Sequence, residues 1–219
     1  MLKELLLSGS VGAFSLDRCK ALVDGVFAIV VTLLVLGIDV PTDHRFSEQG
    51  LFMFLERIGF DLLIYAVSFW LAGTYWLQHA AIMHFFRNGS RTLIWLNLFF
   101  LFPVTLLPFF TKLKGAYRDE VLVTLLFGVE QIVIGLALIA IWTYAASHPE
   151  LLVRKIEDNV RWQVTRRMIV SPIIISLIAI PLLYLSLHLS SLFFLSIPLY
   201  YLSYPLIDRN WSDSGRNAE

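Results

Sequence analysis

Arg18 and Asp24, with Lys20 between them, stand at the head of a run that is apolar from there to Leu36. If that run crosses a bilayer, each charge costs about 3 kcal/mol or more unless it is paired or wet. Such residues therefore mark ion pathways, proton relays or buried polar pairs. On an ideal helix a spacing of six places the two roughly 120° apart around the axis and ~9 Å apart along it, so each needs a partner from another segment. The polar residues available in later apolar runs are Gln78, His79, Asn97, Thr105, Glu130 and Gln131. His79 ends the second run and Asn97 lies in the first turns of the third, which brings both to the depth of Asp24. Arg18, Asp24, His79 and Asn97 are expected to form one structural polar network on the inner side. A histidine at a helix end is more often an interfacial residue than a working one. Glu130, in mid-run, reads either as a working acid or as an interhelical hydrogen-bonding group.

Beyond Asp24 the first run has no charge before Asp39. At ~100° per residue, Ile29, Leu33 and Leu36 fall within about 60° of one another on one face. Ala21, Gly25, Ala28 and Thr32 form an adjoining stripe of small residues, expected to admit another helix closely. Asp24 lies about 140° from Ile29, away from the apolar stripe and toward protein. This pattern suits the wall of an ion pathway, although Ile and Leu stripes on membrane helices also serve plain lipid contact.

The elements that carry these residues follow from composition. The chain has 219 residues, 58% apolar and 16% charged, with a mean hydropathy of +0.73. Soluble domains carry about 25% charged residues; the deficit here is what lipid-facing helices demand. An all-α membrane protein is expected, with six transmembrane helices per subunit: Cys19–Val40 (ended by Pro41), Ile58–His79, Thr92–Thr111, Val121–Ala146, Ile169–Leu187 and Ser191–Ile207. The last two form a tight hairpin around His188, Leu189 and Ser190, and residues 208–219 read as a polar cytoplasmic tail. With the N-terminus inside, twelve Lys and Arg lie on the inner side and five on the outer, which favours cytoplasmic termini. Residues 147–168 read as a short amphipathic helix along the inner surface.

Several function classes are excluded by what is missing. Seventeen basic and seventeen acidic side chains cancel, so nothing points to nucleic acid. A single cysteine, Cys19, allows no intrachain disulfide. His84 and His188 stand alone and no metal-ligand spacing occurs, so neither an enzyme nor a metal or other cofactor is expected. No run carries regularly spaced arginines for voltage sensing, and no cleaved leader is read. A secondary transporter or proton-coupled carrier using Asp24, Asp61 and Glu130 stays open, although the halves show no inverted repeat. A non-conducting scaffold would leave the buried charges without a task.

The segment Arg18-x5-Asp24-Gly25-Val26-Phe27-Ala28-Ile29-x2-Thr32-Leu33-Leu34-Val35-Leu36 resembles the first helix of the transmembrane protein 175 family of potassium channels, in its prokaryotic form. That family's hallmark is Arg-x-x-x-Phe-Ser-Asp followed by an apolar pore-lining stretch. Trp76-Leu77-Gln78-His79, Trp95-Leu96-Asn97-Leu98-Phe99-Phe100-Leu101 and Leu107-Pro108-Phe109 are similar to its second and third helices. Leu22 and Val23 stand where the family has Phe and Ser. The resemblance implies a potassium-channel architecture without a carbonyl filter loop, and no Thr-Val-Gly-Tyr-Gly occurs here. It implies a homotetramer in a prokaryotic plasma membrane whose constriction is Ile29, Leu33 and Leu36, with Thr32 as a polar ring beside it. Membrane lipids are the other partners. K+ would pass as in a leak, with Na+, Cs+ or H+ weaker, because an apolar ring strips hydration and K+ holds its water less tightly.

Overall fold

The computed structural model describes residues 16–38, 48–117, 120–153, 158–182, 185–186 and 193–203. Among them the chain is all α. The helices are α1 (Leu16–Val35), α2 (Glu48–Met83), α3 (Arg91–Ala116), α4 (Val121–Ser147), α5 (Asp158–Met168), α6 (Ile175–Leu182) and α7 (Ser196–Ser203). A 3-10 turn at Pro149–Leu151 follows α4, and a π-helical turn at Ile169–Ile174 joins α5 to α6.

Three helical stretches are long and apolar enough to cross a membrane: Ile58–Met83, Arg91–Ala116 and Val121–Ser147. They coincide with the second, third and fourth expected spans, running four, five and one residues further at their C-terminal ends. α1 is shorter and charged at its start, where Asp17, Arg18, Lys20 and Asp24 all precede its apolar part. The fifth expected span is interrupted. Pro172 lacks the N–H of a regular turn and its ring clashes with the preceding carbonyl, and the backbone there widens into the π turn. The apolar stretch Pro172–Leu182 is correspondingly short. Of the sixth, only residues 193–203 are described, with α7 over Ser196–Ser203; the hairpin residues 188–190 and the tail 208–219 lie outside the described residues. α5 occupies the second half of the expected surface helix.

α3 is the central element, packed chiefly on α4 and α1. Its start is fixed by Ser90, whose Oγ accepts the Leu93 N–H at 3.1 Å, an N-cap that satisfies one orphan donor. The same hydroxyl meets the Tyr144 hydroxyl at 2.8 Å, tying the start of α3 to the end of α4. Lys114 follows the expected end of the third span at Thr111 and so counts among the five outer cations of the sequence reading. It lies instead in the last turn of α3, buried, and donates to Thr124 Oγ1, since α3 runs on past the expected Thr111. A cation in that position also complements the helix dipole.

α4 buries residues on a broad face, and two glycines let neighbours approach it. A Cβ at Gly135 would sit 2.6 Å from Pro172 Cγ, and one at Gly128 would sit 3.3 Å from Ile180 Cγ1. Gly135→Ala is therefore expected to lower stability by about 1–3 kcal/mol, because a proline ring cannot swing aside. Gly25→Ala on α1, where nothing lies within 4 Å, should leave the isolated protomer unchanged. Thermal melting of the purified protein compares the two.

Candidate functional site

α1 has two unlike faces. Val23, Phe27, Val30 and Leu34 recur at helical spacing and are buried against the bundle, with Phe27 tilted against Phe100 of α3 at 5.9 Å. The opposite face is open: Ile29 is 59% exposed, Leu33 43% and Leu36 71%. Thr32 lies on it too, and its hydroxyl donates back to the Ile29 carbonyl at 2.8 Å and the Ala28 carbonyl at 3.1 Å. With its proton held by the helix, the Thr32 oxygen keeps a lone pair for a donor or cation outside.

The small-residue stripe does not do what its spacing suggested within the protomer. Ala21, Gly25, Ala28 and Thr32 are all exposed, and it is the stripe of Val23, Phe27, Val30 and Leu34 that faces the bundle. Of the two residues that depart from the family hallmark, Val23 is fully buried and Leu22 half exposed. A valine there contributes packing and can make no side-chain hydrogen bond.

Around the start of α1 the polar residues group as follows. His79 on α2 and Asn97 on α3 are both buried, with His79 Nε2 2.6 Å from Asn97 Oδ1. Asn97 donates its Nδ2 to the Leu93 carbonyl at 2.8 Å, which turns Oδ1 toward the imidazole and makes His79 Nε2 the donor. The imidazole also stacks on Phe100, centroids 5.1 Å apart and planes 2° from parallel. Asp24 shares a pocket of about 200 Å³ with His79, Lys20, Ala80, Met83 and His84. Arg18 is exposed one and a half turns earlier, outside that lining.

Trp76, which the sequence places in the segment similar to the family's second helix, is not among the polar partners expected for Asp24. Its indole Nε1 donates to Asp24 Oδ1 at 2.8 Å, a direct side-chain tie between α2 and α1. The signal was available: Trp76 and His79 are three apart and share one face of α2. The three carboxylates of the carrier reading do not converge. Asp61 lines a different cavity, with Tyr65, Thr111 and Lys112 beside the far end of α1, and Glu130 is buried on α4.

The chain is similar in sequence and in fold to known proteins. The family profile described as "Endosomal/lysosomal potassium channel TMEM175" matches residues 18–108, which span α1, α2 and most of α3. A Streptomyces collinus protein named a potassium channel is 35% identical over 103 residues, 47% of this chain and 49% of that protein. The aligned region thus spans about half that relative's length. A Chamaesiphon minutus protein, also named a potassium channel, is 30% identical over 146 residues, 65% of this chain and 71% of that protein. The crystal structure of a lysosomal potassium-selective channel TMEM175 homolog from Chamaesiphon minutus superposes with a TM-score of 0.74 at 26% identity, covering 85% of this chain and 96% of that one. These relatives are ion channels, not enzymes, and the long apolar helices fit an integral membrane protein. The chain belongs to the TMEM175 family.

Proposed function

We propose that this chain is one subunit of a potassium-permeable cation channel, a homotetramer of six-span subunits without a carbonyl filter loop. Its termini face the cytoplasm of a bacterial plasma membrane. Four copies of α1 line the central axis, and Ile29, Leu33 and Leu36 form the constriction with Thr32 as a polar ring beside it. One observation carries this reading: α1 buries one face in its own bundle and leaves an apolar face open from Ile29 to Leu36. Closed rotational symmetry around that face gives each ring one residue per subunit. An apolar ring gates by wetting and dewetting, and an ion crossing it sheds part of its hydration shell. The conductance is accordingly leak-like and modestly selective for K+.

Asp24, with Trp76, and the His79–Asn97 pair hold the start of α1 against α2 and α3; Arg18 completes this polar network from the exposed side. The purified protein in planar bilayers under K+ and Na+ gradients tests the reading. Unitary currents are expected, with a reversal potential displaced toward that of K+. Slow, saturable exchange without unitary events would replace the pore by a carrier, and silence would leave a scaffold.

A further inference from the structure

Lys112 of α3 stands where two cavities meet, just past the end of α1 at Leu36 and Gly37. The smaller, about 50 Å³, is lined by Lys112 together with Asp61 and Tyr65 of α2 and Thr111 of α3. The larger, about 450 Å³, has mostly apolar walls, and Lys112 borders it beside Leu33, Leu36 and Phe109. Two close approaches fix this corner. A Cβ at Gly37 would sit 3.6 Å from Lys112 Cβ, and one at Gly115 would sit 3.4 Å from Asp61 Oδ1. Lys112 and Gly115 are three apart on α3 and share a face. The Asp61 carboxylate therefore meets α3 within about one turn of Lys112.

The two charges stand differently toward the open face of α1. Lys112 is exposed and borders both cavities, so its ammonium shares a wall with Leu33 and Leu36. Asp61 is half-buried and borders the small cavity alone of the two. Leucine side chains cannot screen a neighbouring charge, and low-dielectric walls focus its field into the water beside them. A cation nearing Leu36 is thus repelled by Lys112, and the carboxylate behind it offsets part of that repulsion. Both effects reach about one Debye length, ~10 Å at 0.1 M salt.

We propose that Lys112 and Asp61 set the cation conductance at the Leu36 end of the pathway with opposite signs: Lys112 lowers the local concentration of entering cations, and Asp61 restores part of it. The inference rests on the channel reading above and adds to it two residues outside the constriction itself. In a closed ring each charge recurs once per subunit, so removing it acts several times over at one mouth.

Unitary conductance of the full chain in planar bilayers with symmetric KCl tests it. At about 0.01 M, where the Debye length is ~30 Å, Lys112→Gln should raise the conductance about twofold or more. Asp61→Asn should lower it by a similar factor, and Lys112→Arg, which keeps the charge, should match the native channel. At about 1 M, where that length is ~3 Å, all four proteins should conduct alike. Lys112 is exposed, so its two variants carry the test if Asp61→Asn does not fold. A native channel that conducts while Lys112→Gln equals it at low salt overturns this proposal and leaves the pore standing. So does an effect of equal size at both salt concentrations, or one that Lys112→Arg reproduces. Silence of the native protein removes the pore, and the role of both charges with it.

Discussion

Replacing Ile29 by Asn is expected to raise the permeability of Na+ relative to K+ several-fold and to increase the current. Ile29 stands on the open face of α1, so in the proposed tetramer the substitution enters four times in one ring. The native ring offers no atom in exchange for shed water, and Na+, which holds its water more tightly, is penalised more. A tenfold preference needs only about 1.4 kcal/mol, a margin that four carboxamide oxygens can erase. Asn is smaller and polar, so the ring wets more readily as well. Reversal potentials of the purified, reconstituted variant decide it; values unchanged from the native channel would remove Ile29 from the constriction. Thr32→Val should act more gently, since it removes one accepting oxygen and keeps the shape.

The second large effect is on stability. His79→Ala should cost about 2–3 kcal/mol. It strands Asn97 Oδ1 in a buried site and removes the ring stacked on Phe100. Asn97→Leu is expected to cost about 1–3 kcal/mol, because His79 then buries an unsatisfied N–H. The two partners touch, so the double variant should fall short of the sum by about 0.5–3 kcal/mol. Trp76→Phe removes only the donor to Asp24 and should cost about 1 kcal/mol, the scale of side-chain hydrogen bonds between membrane helices. Equilibrium unfolding in detergent compares the set. Full additivity of His79 and Asn97, or native stability and conductance in both Asp24→Asn and His79→Ala, would show that this end of α1 is held by something else.

Much of the architecture follows from the order of residues alone. Long apolar runs with few charges leave the helix as the only way to satisfy the backbone in lipid, and α2, α3 and α4 appear where those runs lie. The shared depth of His79 and Asn97 was legible too, because each lies near the same turn of the chain, one ending a helix and the other opening the next. The hallmark spacing of Arg18 and Asp24 led to the family.

What the chain order left open is which neighbour each face meets. In water a polar face marks the outside; in a membrane helix lipid and protein are equally apolar, so periodicity gives stripes without assigning them. Only the packed structure puts Val23, Phe27, Val30 and Leu34 inward and leaves the small-residue stripe open. Only packing brings Trp76 to Asp24 across 52 positions of sequence, and Tyr75 to Gln131 across 56. The π turn at Pro172 likewise depends on Gly135, whose missing side chain leaves room for the ring. Contacts of this kind are set by the separation and rotation of whole helices, quantities that side-chain volumes determine jointly and no single segment encodes.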